Sequence, residues 1–302
     1  MNHKVLISLL LLATFLGCNG ESGDKGPRFG ERPPSAGVPV YKLAVHPLHN
    51  PAKLLQAYQP LVDFLNGRLR GARLTLEASR DYANFEEKYQ ARKPAFLLPN
   101  PWQTLQAMRI GYQVIAMAGE PTDFKGIFVV RKDSGLKQPA DLKGKSVSYP
   151  SPTALAACIM PQWFLYEHGI DVNADIQNHY VGSQESAIMN AHLRITAAGA
   201  TWPPPWRAFQ KEHPREAAEL SVLWETDPLI NNSVMTRDDV PADVREQVRA
   251  MLIGLDGTRE GGPILAGMET ARFLPARDAD YDVVRQFVLR FEEKVRLVEA
   301  RK

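Results

Sequence analysis

The segment most informative about the architecture of this chain is Arg131–Thr153, which reads RKDSGLKQPADLKGKSVSYPSPT. It follows the apolar, strand-like run Gly126–Val130 and contains a Lys-Asp-Ser-Gly turn, an Asp-Leu-Lys-Gly-Lys element and a second strand-like run, Ser146–Tyr149. A hydroxyl-rich loop then leads into an apolar helical pattern over residues 154–168. Strand, loop and helix in this order predict an α/β unit with a mainly parallel sheet.

The alternation of strand and helix patterns continues on both sides of this segment. Upstream, Pro39–Val45 is strand-like and Leu54–Leu65 has apolar residues at helical spacing. Downstream, the strand-like Asn178–Val181 precedes another helix start, and the chain closes with a long helical pattern over Tyr281–Val298. The sequence therefore predicts two α/β units, the second of them over residues 128–226.

The composition is ordinary for a globular protein and disfavours several classes of function. Of the 302 residues, 44% are hydrophobic and 23% charged, and the formal net charge is only +2. Such a small charge gives no reason to expect a nucleic-acid partner. The seven histidines are scattered, and neither an HExxH pattern nor a paired-cysteine pattern is present, so we expect no metal and no cofactor. The chain also lacks a G-x-S-x-G elbow and a P-loop, which favours a protein that is not an enzyme.

The N-terminus has the pattern of an export signal. Lys4 precedes the apolar run Val5–Leu16, and Gly17 and Cys18 follow directly. The run is shorter than the ~20 residues that span a bilayer, and its flanks suit a secretory signal. A cysteine after a small residue looks like a bacterial lipobox, although Phe15 stands where leucine is usual. We expect residues 1–18 to be a lipoprotein signal with lipidated Cys18; the alternative is an ordinary cleaved signal with an incidental cysteine.

The segment after the signal is rich in Gly, Pro, Ser and charge, and it has few large apolar residues. Such a composition buries too little surface to offset the entropy of ordering. We expect residues 19–38 to be a flexible tether between the lipid and a folded body outside the cytoplasm. The other cysteine, Cys158, lies in the apolar run Ala154–Met160, which predicts a buried thiol and not a nucleophile.

Hydroxyl and amide side chains follow several of the predicted strands. Ligands of open α/β sheets bind beyond the carboxyl ends of the strands, and helix starts favour anions there. Ser151 and Thr153 occupy one such loop, and Ser183 and Gln184 begin another helix. The alternative is that these residues are only N-caps. Further candidates in similar loops are Tyr82, Asn100 and Trp102.

The run Thr201–Trp206, TWPPPW, predicts a polyproline turn between two tryptophans. Three interpretations remain open. Thr201 and Trp202 line a ligand cleft, or the run presents an extended surface to a partner, or it forms a rigid packed corner.

Five segments resemble one known family and keep its order over roughly residues 40–290. They read HPLHNPAKLLQAYQPLVDFLNGRL, SRDYANFEEKY, FVVRKDSGLKQPADLKGKSVSYPSPT, YVGSQESA and ARDADYDVVRQF. The family is that of the phosphate/phosphite/phosphonate-binding proteins of ABC transporters. The resemblance implies a two-lobed α/β fold of the type II periplasmic binding proteins, with two strands crossing the hinge. Lobe one would comprise residues 39–127 with 228–302, and lobe two residues 128–227.

The resemblance also carries site residues. Tyr82 matches the tyrosine of the family's Asp-Tyr pair, while Ser151 and Thr153 stand in its phosphate-binding hydroxyl loop. Ser183 stands at the first position of its Ser-His pair. The implied ligand is a phosphorus oxyanion: phosphate, phosphite or a phosphonate.

Four positions depart from the family pattern. Pro152 interrupts the hydroxyl loop, Gln184 replaces a usual histidine, and Phe124 stands for an aromatic residue that usually carries a hydroxyl. Thr196 lies where an acidic residue would hold the amino group of an aminoalkylphosphonate. These departures disfavour an aminophosphonate in particular.

Together these observations predict an extracytoplasmic, monomeric, lipid-anchored receptor that captures a small anionic solute for an ABC permease. One alternative is a sensory binding protein of the same fold that reports its ligand to a signalling receptor. A weaker alternative is an exported enzyme on the same scaffold, since fold does not determine function.

Overall fold

The computed structural model describes residues 37–299. The predicted signal with Cys18, and the predicted tether up to residue 36, lie outside the described residues. In the part of the chain that is described, no helix has both the length and the apolar character needed to cross a membrane.

The strands and helices alternate along nearly the whole described chain. The strands are β1 Val40–Val45, β2 Arg73–Glu77, β3 Phe96–Leu98, β4 Tyr112–Ala118, β5 Ile127–Arg131, β6 Ser146–Tyr149, β7 Gln177–Tyr180, β8 Ala198–Thr201, β9 Leu220–Glu225, β10 Ser233–Arg237 and β11 Phe273–Leu274. The α-helices are α1 Pro51–Asn66, α2 Tyr82–Gln90, α3 Pro101–Met108, α4 Met160–Glu167, α5 Gln184–His192, α6 Pro203–Glu212, α7 Pro214–Ala218, α8 Ala242–Ile253, α9 Gly261–Gly267 and α10 Asp282–Lys294. A π-helical turn, Leu155–Ile159, runs directly into α4.

The strands form two separate sheets, and each sheet is the centre of one lobe. The first lobe has six strands in the order β11-β4-β10-β3-β1-β2, and the second lobe has five in the order β7-β6-β8-β5-β9. The pairs β1–β2, β1–β3, β6–β7 and β6–β8 are parallel, whereas the pairs β3–β10, β4–β10, β4–β11, β5–β8 and β5–β9 are antiparallel. This topology confirms the predicted α/β class. The prediction of a mainly parallel sheet is wrong, because antiparallel strands complete both sheets and five of the nine strand pairs in the described chain are antiparallel.

The chain passes from the first sheet to the second between β4 and β5, and it returns between β9 and β10. The residue bounds predicted for the two lobes stay a prediction. In both sheets the parallel strands are followed by helices, so the loops beyond their carboxyl ends lie at helix starts.

Helix α1 illustrates how local sequence builds the first lobe. Asn50 caps it by accepting a hydrogen bond from the backbone N–H of Lys53 at 3.0 Å. Its buried residues, Leu54, Tyr58, Leu61, Val62, Phe64 and Leu65, recur every three or four positions. This apolar face joins the side chains of β1 and β2 in one hydrophobic core.

Two sequence predictions about local structure are wrong. The TWPPPW run is not a polyproline turn, because Pro203, Pro204 and Pro205 form the first turn of α6. Proline suits this place since the N–H groups of a first helical turn have no helical acceptor. The final helix ends at Lys294 and not at Val298. Beyond it, Asn173 donates to the Val295 carbonyl oxygen at 2.8 Å, which ties the C-terminal tail to the second lobe.

Candidate functional site

A small cavity lies between the two lobes. From the first lobe it is lined by His46, Tyr82, Asn100 and Asn232, and from the other side by Phe124, Ala154–Ala157, Gln184 and Trp202. Its volume of about 10 Å³ is roughly what one water molecule needs. Lys and Arg are absent from this lining, as far as the described residues go. An anion bound here would therefore depend on neutral hydrogen-bond donors.

The second lobe contributes the start of a helix to this cavity. Ile159 N–H bonds to the Ala154 carbonyl oxygen at 3.1 Å, which is an i−5 bond and the first of the π-turn. The N–H groups of residues 155–158 precede that bond and have no acceptor within the helix. Because Ala154–Ala157 line the cavity, these donors and the positive end of the helix dipole lie beside it.

Tyr82 is the hydroxyl donor of the first lobe. Gln184 Nε2 donates to Tyr82 Oη at 3.0 Å, and Thr201 Oγ1 donates to Gln184 Oε1 at 2.8 Å. These two hydrogen bonds fix the orientation of the Gln184 amide, and the bond to Tyr82 joins the two lobes. Burial raises the pKa of Tyr82 well above its usual value, so the phenol keeps its proton. Since Tyr82 Oη accepts from Gln184, that proton can be donated to a ligand.

Ser151 and Thr153 do not line the cavity. Their hydroxyl oxygens are 3.0 Å apart, and Thr153 Oγ1 donates to Glu86 Oε1 at 2.7 Å. Asn100 Nδ2 also donates to the Thr153 carbonyl oxygen at 3.1 Å. The hydroxyl loop is thus engaged in closing the lobes against each other in this conformation.

Glu86 is the buried acidic group at this contact. It lies on α2, one turn beyond Tyr82, and is only 2% exposed. Gln103 Nε2 donates to the same carboxyl oxygen at 3.0 Å. Burial raises the pKa of Glu86, and the two hydrogen bonds partly oppose that shift.

The remaining predicted site residues fall into two groups. Phe124 and Trp202 both line the cavity, with ring centroids 5.4 Å apart. Trp102 is buried in the core beside it, and Ser183 caps α5 by accepting from the Ser186 N–H at 3.0 Å. Of the predicted residues, Tyr82, Asn100, Phe124, Gln184 and Trp202 meet at the cavity. Ligand binding by any of them stays a prediction.

Cys158 is fully buried, and burial raises its pKa to about 11. Its thiol is therefore protonated at neutral pH and is a poor nucleophile.

Sequence reasoning missed the two lining residues with polar side chains that lie at strand ends of the first sheet, His46 and Asn232. His46 directly follows β1, whereas Asn232 directly precedes β10. Because β10 runs antiparallel to β3 and β4, its start lies at the same sheet edge as the ends of the parallel strands. The HPLHNP turn placed His46 at a strand end, but only the sheet order brings Asn232 beside it.

Comparison with known proteins identifies the family. Residues 43–281 match the family model described as ABC transporter, phosphonate, periplasmic substrate-binding protein. A curated relative, the probable ABC transporter phosphite binding protein PhnD1 of Prochlorococcus marinus (strain MIT 9301), is 22% identical over 181 residues. That match covers 56% of this chain and 61% of the relative's length.

Solved structures share the fold. PhnD1 from Prochlorococcus marinus in complex with methylphosphonate has a TM-score of 0.77 at 18% identity, covering 84% of this chain and 98% of that one. A binding protein component of an ABC phosphonate transporter from Pseudomonas aeruginosa has a TM-score of 0.76 at 15% identity, covering 85% and 87%. The fold is that of the type II periplasmic binding proteins. The family match extends over most of the chain, from the first strand to the start of the last helix, and the chain therefore belongs to the periplasmic substrate-binding protein family of phosphonate ABC transporters.

Proposed function

We propose that this protein captures a small phosphorus oxyanion, namely phosphate, phosphite or a phosphonate, between its lobes and presents it to an ABC permease. The observation that carries the proposal is the cavity between the lobes, where the N–H groups before the Ile159–Ala154 bond lie opposite the Tyr82 hydroxyl. Backbone N–H groups at a helix start and neutral hydroxyls are the donors that oxyanions use in proteins.

Capture would be a hinge motion at the two connections between the sheets. The bonds from Gln184 to Tyr82 and from Asn100 to Thr153 join the two lobes. Because the cavity in this conformation has room for about one water, a ligand as large as a phosphonate requires a wider separation of the lobes. Binding would then replace some of these contacts by bonds through the ligand.

The same proposal includes a lipid anchor at Cys18, a monomeric state and an absence of catalysis. An anchor would keep the receptor beside its permease. In favour of a non-enzyme, the cavity lining offers one titratable base, His46, and no Ser, Thr, Cys, Lys, Asp or Glu side chain beside it among the described residues. No observation favours the sensory alternative, because Trp206 of the TWPPPW run is buried and does not form an extended exposed surface.

A thermal-shift screen of the purified protein tests the proposal. The panel contains phosphate, phosphite, methylphosphonate and sulfate, together with neutral metabolites and amino acids. A ligand at 100 times its Kd should stabilise the protein by about 2.7 kcal/mol. A shift with at least one phosphorus oxyanion supports the proposal. A shift with a neutral compound, and none with any phosphorus oxyanion, would refute it.

A further inference from the structure

The first-lobe wall of the cavity includes a side chain that can only accept a hydrogen bond, which is unexpected for an anion site. His46 Nδ1 lies 3.0 Å from the Leu98 carbonyl oxygen. A carbonyl oxygen only accepts, so Nδ1 carries the proton and Nε2 is left as an acceptor in the neutral ring. His46 is 2% exposed, and burial lowers its pKa to about 4. The ring is therefore neutral at physiological pH.

Asn232 lies on the same wall and is 3% exposed. Its carboxamide has both a donor and an acceptor group, so it can pair with a ligand atom of either kind. His46 Nε2, in contrast, can only accept, and leaving a buried acceptor unpaired is unfavourable. A ligand that satisfies His46 must therefore donate a hydrogen bond to it.

The second-lobe wall has the reverse character, because the N–H groups of residues 155–158 are donors. Tyr82 adds one hydroxyl donor from the first lobe. A ligand that pairs with these donors and with His46 carries both acceptor oxygens and a hydroxyl. A fully deprotonated oxyanion, such as sulfate or a sulfonate, has only acceptors and would leave His46 Nε2 unpaired.

We propose that His46 is a specificity-determining residue whose Nε2 accepts a hydrogen bond from the P–OH group of a singly protonated phosphorus oxyacid. The site thereby prefers a phosphite or phosphonate monoanion to a sulfonate of the same shape and charge. This inference rests on the proposed function and deepens it.

The groups around His46 do not supply a competing cation. On the α1 side, burial lowers the pKa of His49 to about 3, and Lys53 is paired with Glu212 at 2.7 Å. On α2, Tyr82 lies with its ring centroid 6.2 Å from that of His46, and Glu86 lies one turn further. Across the cleft, Cys158 stays protonated at neutral pH because burial raises its pKa.

The proposal determines the proton content of the complex. The bound state holds one proton, either on the ligand oxygen or on His46 Nε2 after transfer across that hydrogen bond. Both arrangements contain the same atoms and the same total charge. Once the pH exceeds the second pKa of the free ligand, binding must take up this proton from solvent. The affinity should then fall by about tenfold per pH unit.

The test compares methylphosphonate with methanesulfonate on the unmodified protein by isothermal titration calorimetry. Below the second pKa of the phosphonate both ligands are monoanions of similar shape, and only methylphosphonate carries a hydroxyl. We expect methylphosphonate to bind at least tenfold more tightly. Above that pKa we expect uptake of about one proton per ligand, measured in buffers of different ionisation enthalpy.

A substitution probes the acceptor directly. His46→Gln places a carboxamide that both donates and accepts, so the preference for methylphosphonate should fall at least severalfold as methanesulfonate gains a donor. His168→Gln, at an exposed histidine of the second lobe, is the matched control and should keep the preference. If His46→Gln does not fold, the ligand pair and the proton count on the unmodified protein still decide the question.

The outcomes separate this inference from the proposed function. Equal affinities for the two ligands, or phosphonate binding without proton uptake above the second pKa, overturn the inference and leave phosphorus-oxyanion binding intact. If no phosphorus oxyanion binds at all, the proposed function fails and the inference fails with it.

Discussion

Arg296 Nη2 donates a hydrogen bond to the carbonyl oxygen of Pro152 at 3.0 Å. Its Nε also donates to Gln162 Oε1 at 2.8 Å, and its guanidinium lies 5.4 Å from the centroid of the Phe291 ring. A side chain that follows the last helix thus supports the Ser151–Thr153 loop, in which the Thr153 hydroxyl donates to Glu86. The C-terminal tail is therefore part of the structural support of the second-lobe wall.

Arg296→Ala should destabilise the protein by about 1–3 kcal/mol, because bonds from a charged donor to partly buried acceptors are lost. Chemical denaturation measures this loss as a lower midpoint. Arg285→Ala, which removes an exposed ion pair with Asp282, is the control and should change stability by less than about 0.5 kcal/mol. Equal effects of the two substitutions would contradict the supporting role.

Tyr82→Phe should weaken binding of phosphite or methylphosphonate by about tenfold, because it removes one hydrogen-bond donor from the cavity. The substitution also leaves Gln184 Nε2 without its acceptor, so a stability loss of about 1 kcal/mol should accompany it. Calorimetric titration gives the affinity. Tyr166→Phe, at an exposed tyrosine, is the control; an unchanged affinity of the Tyr82 variant would remove this residue from the site.

The stability of the Glu86→Gln variant, measured relative to the unmodified chain, should increase as the pH rises from acidic to neutral. Burial raises the pKa of Glu86 above its usual 4.5, so the folded state binds this proton more tightly than the unfolded state. Stability from this group is present below pH 4.5 and is lost as the pH rises to the raised pKa.

Denaturant midpoints of both proteins, followed from acidic to neutral pH, measure that difference. Glu246→Gln, at a carboxylate with 62% side-chain exposure, is the control and should follow the unmodified protein. A constant difference between Glu86→Gln and the unmodified chain over the whole range would show that the pKa of Glu86 is not raised.

Gly199→Ala should destabilise the second lobe by about 1–3 kcal/mol through overpacking. A Cβ atom on Gly199 of β8 would lie 2.2 Å from the Ala187 carbonyl oxygen of α5. Helix α5 carries Gln184 at its start, so ligand affinity should fall as well. In Gly262→Ala the new Cβ meets nothing within 4 Å, and thermal unfolding should show little change or a slight gain in stability for this control.

Cys18→Ala should abolish incorporation of radiolabelled palmitate in cells and move the protein from the membrane fraction to the soluble fraction. The physical reason is that covalent acyl chains, and not a helix, would hold the protein to the bilayer. Cys158→Ala is the control and should label like the unmodified protein. Labelling that persists without Cys18 would show that another residue carries the lipid.

Much of the fold could be predicted from local sequence. Apolar residues at spacings of two or of three to four define strands and helices such as β1 and α1 without reference to distant residues. The family resemblance then supplied the two-lobed arrangement. For the candidate site, Tyr82, Asn100 and Gln184 were predictable because polar residues at the carboxyl ends of strands converge in any open α/β sheet.

The sequence by itself determined the α/β class, the order of the elements and the sheet edge at which a ligand would lie, because these depend on short-range periodicity and on chain direction. Only the tertiary structure decided which polar groups face the cavity. Thr153 turns its hydroxyl to Glu86, and Asn232 joins His46 through an antiparallel strand added to the sheet. These contacts form between residues far apart in the chain, and their geometry arises from packing, which local propensity does not encode.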